Sequence, residues 1–286
     1  MKLLLCLLAA LYSYAAVAQT RADSLLVVSW NVENFLDYRT DSTGRYTAGR
    51  FRTKCNAISK VLLLIAGRNG RLPDAVALME VGNRYVLERL IYDTPLRKLD
   101  YRIVHYDSPD RRGIDCALLY RRSTMNLLDS GSRHLYDSSG SVMPTRDILV
   151  AEFDGVTILV NHHPSKVGAD SERRRAVAMG RMTALMDSLY ASRPVLAVGD
   201  FNDDVWPHDG PRPAAEGTIK YNGAWEKIDG HFARGPIAVT ETVFADPLLS
   251  VPDTRYGGTK PHRSFSGPRW LGGVSDHYPI VLWLKL

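Results

Sequence analysis

The chain has 286 residues, 45% of them hydrophobic and 23% charged, with 22 glycines, 15 prolines and three cysteines. That composition excludes a repeat or low-complexity protein and suits one large globular domain or two small ones. A formal charge of +5 is a mild preference for anionic partners and does not by itself argue nucleic-acid binding.

The opening residues, MKLLLCLLAALYSYAAVAQT, carry one lysine, a short apolar run and the small-residue pattern Ala16-Val17-Ala18. They predict a secretory signal peptide over residues 1–18, cut before Gln19, with an apolar run too short to span a bilayer comfortably. No later segment is apolar for long enough to cross one. The mature chain is therefore expected to be exported (periplasmic or secreted), without a stable membrane anchor, and monomeric. Cleavage leaves Cys55 and Cys116. Export permits a disulfide, but both lie in core-like runs, so two free buried thiols are expected.

Leu25 to Trp30 (LLVVSW) reads as a buried strand. Phe51, Cys55, Ile58, Leu62 and Ile65 then recur at helical spacing, predicting a helix closed by Gly67. DAVALME is a second buried strand, RYVLERLIYD a second helix, and YRIVHY and IDCALLY are strand-like. In DILVAEFDGVTILVNHH, Asp154-Gly155 between two β-rich runs predicts a hairpin. SERRRAVAMGRMTALMDSLYAS is a long helix capped at Ser171, PVLAVGD a strand, and YPIVLWLKL the last. The stretch between Asp203 and Tyr278 reads as long loops with short strands. Alternating helices and strands with a hairpin mid-chain predict mixed sheets with outer helices. No linker divides residues 19–286, so one domain is expected.

Nearly every apolar strand ends in chemistry. Trp30 leads to Asn31 and Glu33, DAVALM to Glu80, TILV to Asn161-His162-His163, and VLAV to Asp200 and Asn202. Asp276-His277 stand before the last strand. Each has a bland reading: Asp and Asn favour turns, Glu80 could be a solvated strand end, and His162 a core histidine. Together they fit the strand-end sites of open α/β folds. Residues i and i+2 of extended chain point the same way, so Asn31 with Glu33, and Asp200 with Asn202, could each aim at one cation. Carboxylates and carboxamides without a cysteine cluster suit a hard cation such as Mg²⁺. With His162 and His277 as imidazoles, the set fits phosphate-ester hydrolysis by activated water.

The motifs SWNVEN, ALMEV, NHHPSK, VGDFND and VSDHYPI resemble, in order, those of the endonuclease/exonuclease/phosphatase superfamily. That group contains pancreatic deoxyribonuclease, abasic-site endonucleases, bacterial sphingomyelinases and inositol-polyphosphate phosphatases. The resemblance covers the chain from about Leu25 to its end. It implies a four-layer α/β sandwich, two mixed sheets face to face with helices outside, and a Mg²⁺- or Mn²⁺-dependent phosphoester hydrolase. Carried over by position, Asn31, Glu33, Glu80 and Asp276 resemble metal-site residues. His162 resembles the phosphate-contacting histidine, and Asp200 and Asn202 the pair that positions water and phosphate. Asp229 resembles the aspartate that orients the catalytic histidine, His277. The substrate expected is nucleic acid, cut by an exported endonuclease; a phospholipid or small phosphoester is the alternative, and a non-catalytic binding protein ranks behind both. Ser275, Asp276 and His277 do not form a serine-hydrolase triad, because adjacent residues diverge and no G-x-S-x-G elbow is present. Arg111-Arg112 and Arg173-Arg174-Arg175 could hold phosphates of a polymer, although such runs are more often solvated faces. Asp115 could support a histidine across the site, but reads better as a strand-end cap.

Overall fold

The computed structural model describes residues 24–41, 43–205 and 216–286. The signal-peptide reading, and the loop around Trp206, lie outside the described residues. The first half of the chain alternates strands and helices: β1 (Ser24–Phe35), α1 (Ala48–Asn69), β2 (Ala75–Val81), α2 (Arg84–Tyr92), β3 (Tyr101–His105) and β4 (Asp115–Arg121). Then come β5 (Leu127–Arg133), the hairpin β6 (Ile148–Phe153) and β7 (Thr157–His162), α3 (Ser171–Tyr190) and β8 (Val195–Asp200). The remainder holds β9 (Ile219–Tyr221), β10 (Ala224–Glu226), β11 (Asp229–Arg234), β12 (Ala238–Val243), β13 (Ser250–Pro252), β14 (Thr259–Pro261), β15 (Phe265–Ser266), β16 (Arg269–Trp270) and β17 (Ile280–Lys285).

Two sheets result. One has the order β12-β17-β1-β2-β4-β3, the other β11-β8-β7-β6-β5. Both are mixed: β1 runs parallel to β2 and β7 parallel to β8, and the other neighbours are antiparallel. Alternation along β1 explains the stacking. Leu25 and Val27 face Leu149, Ile158 and Val198 of the other sheet, whereas Leu26, Val28 and Trp30 face Phe51, Ile58 and Leu62 of α1. On the far side, Leu159, Val195 and Ala197 pack on Ala178, Met182 and Met186 of α3. The fold is thus a four-layer α/β sandwich. Its central strands read as continuous apolar runs because both their faces are covered.

Three sequence expectations change in detail. The first helix runs past Gly67 to Asn69 and closes at Gly70, whose φ of 68° takes the left-handed position. The extra turn is held by the Asn69 side chain, which donates to the Ile65 carbonyl and accepts from the Trp283 indole. The cap of α3 is Asp170, with φ of 57° and no side-chain capping bond, so Ser171 is the first helical residue. The loop-rich stretch contains two full strands, β11 and β12, each on the edge of a sheet. An edge strand with a wet face carries polar residues, as in AVTETV of β12, and so is hard to read from hydropathy. Cys55 and Cys116 are buried and unbonded, as expected. No described helix is long and apolar enough to cross a membrane.

Candidate active site

Parallel pairing puts strand ends together. The carboxyl ends of β1 and β2 lie side by side in one sheet, and those of β7 and β8 side by side in the other. Strand β11 enters at the same edge, with Asp229 directly opposite Asp200. Two hydrogen bonds then cross from sheet to sheet. Asn31 Nδ2 donates to Asp200 Oδ2 at 3.0 Å, and His277 Nδ1 meets Asp229 Oδ2 at 2.8 Å. His162 Nε2 lies 3.6 Å and His277 Nε2 4.0 Å from that same Asp200 oxygen. Asn31, His162, Asp200, Asp229 and His277 are all buried.

The local backbone is built for this convergence. At both sheet ends a side-chain oxygen accepts the N–H two residues on: Asn31 Oδ1 from Glu33, and Asp200 Oδ1 from Asn202, each at 2.9 Å. GDFND is therefore a turn and part of the site at once. Ladder registers shift at Asn31/Phe35 and at Met79/Val81, so Glu33 and Glu80 occupy bulges, which re-aim side chains. Glu33, Asn34, Glu80 and Asn202 all have φ between 48° and 64°. Non-glycine residues held in the left-handed region gather where geometry is over-determined by function. Gly199 earns its place differently: a Cβ there would lie 1.9 Å from the Asn161 carbonyl oxygen on β7.

The bulges also undo the alternation argument for Asn31 and Glu33. Asn31 reaches Asp200, whereas Glu33 turns to the 263–265 loop and accepts from the Ser264 N–H at 2.6 Å and the Phe265 N–H at 3.4 Å. Asn202 likewise sends its Nδ2 to the His163 carbonyl at 3.0 Å. Glu80 and Asp276 are the more open carboxylates. Glu80 Oε2 accepts from the Asn34 N–H at 2.7 Å, and its Oε1 lies 3.7 Å from Arg112. Asp276 Oδ2 accepts from Arg263 at 3.0 Å. Asp115, at the start of β4, accepts from the Ser108 N–H at 2.8 Å and the Ser108 hydroxyl at 2.6 Å, as a cap does, and also holds a histidine, His105 of β3, at 3.2 Å.

Burial and neighbouring charge set three different protonation states. Burial and the nearby Asp229 carboxylate push the Asp200 carboxyl up to about 7. Burial opposes protonation of His277, but Asp229, Asp200 and Asp276 together outweigh it and hold the imidazole well above its ordinary value. His162 goes the other way, driven well below by burial and then by the Arg146 and Arg112 guanidiniums. The result is a cationic His277, a neutral His162 and a carboxyl poised near neutrality, the separation expected of acid–base partners.

Three contributors were not among the expected site residues. Ser275 donates to the Asn31 carbonyl at 2.6 Å and accepts the His277 N–H at 3.0 Å, which docks the Asp276-His277 turn onto β1. Arg263 pairs with both Glu33 and Asp276. Lys54, fully buried on α1, donates to the Glu33 carbonyl and, at 2.7 Å, to Ser264 Oγ. Its only signal was its phase, three residues after Phe51 on the apolar face. Burial lowers its pKa to about 8 from the usual 10.5, so between those values the unfolded chain binds a proton that the folded protein does not. Stability from this group therefore rises with pH there. Thermal melts of wild type and Lys54→Met from pH 7 to pH 10 should show the wild type gaining on the variant above pH 8; parallel curves would contradict this.

The donor set fits a hard divalent cation. It is made of oxygens, as such a cation requires: Glu80 and Asp276 are partly exposed, each beside a half-exposed arginine, and Asn31 and Glu33 are buried. Among the described residues, His162 Nδ1 and Asp229 Oδ1 are buried without a hydrogen-bond partner.

A family model described as "Endonuclease/Exonuclease/phosphatase family" matches residues 27–211 and 214–286. No curated protein matches the chain. Among solved structures it is similar to TDP2 from C. elegans, at 17% identity over 99% of this chain and 85% of that one, with a TM-score of 0.59. It is similar too to D. rerio TDP2 complexed with single-strand DNA product, at 15% identity over 92% and 99%, TM-score 0.57. A Bacteroides thetaiotaomicron endonuclease/exonuclease/phosphatase family protein matches at 18% identity over 91% and 97%, TM-score 0.56. At such identities these likenesses speak for the fold.

Proposed function

The chain belongs to the endonuclease/exonuclease/phosphatase family, and we propose that within it the protein is an exported, metal-dependent endonuclease. The observation that carries this is the buried His162–Asp200–His277–Asp229 cluster, assembled from both sheets beside two open carboxylates. A bound Mg²⁺ or Mn²⁺, held mainly by Glu80 with Asn31, Glu33 and Asp276 around it, would polarise a phosphoryl oxygen and stabilise the leaving one.

The chain's own groups do the rest. Asp200, poised near neutrality, takes the proton of the attacking water, and Asn202 holds its carboxylate in place through the turn. Cationic His277 opposes the negative charge that grows on the phosphoryl oxygens. Asp229 keeps it protonated and fixes the nitrogen it presents. Neutral His162 can donate one hydrogen bond to the phosphate without adding charge. Nucleic acid is favoured over lipid by the single-strand DNA product in the D. rerio relative and by the positive formal charge. The signal-peptide pattern of the sequence over residues 1–18 is what supports reading the action as following export.

The test is to incubate residues 19–286 with plasmid DNA, RNA, sphingomyelin and inositol phosphates, in Mg²⁺ and in EDTA. Strand cleavage in Mg²⁺ and none in EDTA is the expected result. Full turnover after exhaustive chelation would remove the metal from the reading. Cleavage of sphingomyelin or inositol phosphates alone would move the substrate to the phospholipid or small-phosphoester alternative.

A further inference from the structure

The two arginine runs meet. Arg111 and Arg112, between β3 and β4, Arg146, before β6, and Arg173 and Arg174, on the first turn of α3, line one cavity of about 410 Å³. Two carboxylates line it with them, Asp110 and Asp137. Arg146 is buried and committed: it bonds Asp110 at 3.1 Å and donates to the carbonyls of His162, at 3.1 Å, and of His163. Arg173 pairs with exposed Asp170. Arg111 and Arg174 have no ionic or hydrogen-bonded side-chain partner among the described residues. So much like charge in one concavity costs stability. Arginine forks match phosphate oxygens, and the volume lies within the range of ligand sites.

The cavity adjoins the catalytic edge. Arg112 reaches within 3.7 Å of Glu80, and Arg146 grips the backbone of His162, the last residue of β7, and of His163 after it. We propose that this cavity is a subsite for a second phosphate of a nucleic-acid strand whose scissile phosphate lies at His162 and Asp200. The assignment rests on the nuclease reading above and makes Arg111 and Arg174 the groups that hold the flanking strand.

Binding tests it without turnover. A fluorescein-labelled single-stranded dT10 is titrated with residues 19–286 in EDTA at several salt concentrations. The proteins are wild type, Arg111→Ala/Arg174→Ala, the Lys/Lys pair at the same positions, and the exposed control Arg52→Ala/Lys60→Ala. The alanine pair should weaken binding about ten-fold and flatten the log–log salt slope by about 0.7, the loss of one single-strand phosphate contact. The lysine pair should restore the slope, and the control pair should leave it unchanged. An unaltered slope in the alanine pair, or equal flattening in the control, overturns the subsite, as does wild type that fails to bind dT10. Inorganic pyrophosphate, titrated alongside, separates the sources. If its affinity falls in the alanine pair while that of dT10 does not, the cavity takes a free polyphosphate and the strand assignment is wrong. Protein that binds dT10 as expected yet cuts no substrate in Mg²⁺ would sink the nuclease reading and leave the cavity standing as a strand site.

Discussion

Asp200→Asn is expected to lower phosphodiester turnover by about two to four orders of magnitude, the usual contribution of a general base, with melting temperature at or above wild type. Asparagine serves the turn as well as aspartate does and can still accept the Asn202 N–H. What it loses is the charge and the proton acceptor. The stability expectation follows from linkage. The folded protein holds the Asp200 proton up to about pH 7, more tightly than the unfolded chain, so ionisation subtracts stability as pH rises through that range. Asparagine removes this loss. Asn202→Ala should also impair turnover, by freeing the turn from the His163 carbonyl, whereas Asp204→Asn, exposed beyond it, should change little. Turnover beside melts for the three variants decides the matter. Equal, mild losses in all of them would reduce GDFND to a turn.

His277→Ala should abolish turnover and, unlike Asp200→Asn, should also destabilise the fold. A strand-end residue would be expected to contribute little to packing, but His277 and Asp229 are both buried and bonded at 2.8 Å. Removing one partner strands a buried carboxylate, at a cost of about 3–5 kcal/mol. Adding Asp229→Asn to His277→Ala removes that stranded charge. The double variant should recover most of the melting temperature and none of the turnover. A single variant as stable as wild type would show that Asp229 finds another partner, and that the pair is not a structural unit.

The fold was largely legible because its determinants are local. Runs such as LLVVSW and VLAVGD are apolar throughout, since sheet and helix cover both faces, and α1 shows its buried stripe at helical spacing. Edge strands β11 and β12 were not legible. Each keeps a polar face, and only pairing to β8 and β17 makes them strands. The candidate residues were legible by type, one chemical group at the end of each apolar run. Their orientations were not. Alternation predicted that Asn31 and Glu33 share a target, but the bulge between β1 and β2 sends one to Asp200 and the other to Ser264.

By itself the sequence determined the order of the helices and central strands, the apolar faces that stack into four layers, and which polar residue stands at the end of each apolar strand. These follow from side-chain chemistry and short-range periodicity, which act within a few residues. Tertiary structure decided the pairings. Asn31 meets Asp200 and Asp229 meets His277 only because two separate sheets lie face to face. The shifted protonation states follow from that meeting, since they depend on burial and on charges from distant segments. The same holds for Lys54, whose charge is buried against the 263–265 loop, and for two arginine runs more than sixty residues apart that close on one cavity. Contacts of that range are set by how layers pack, and no local pattern encodes them.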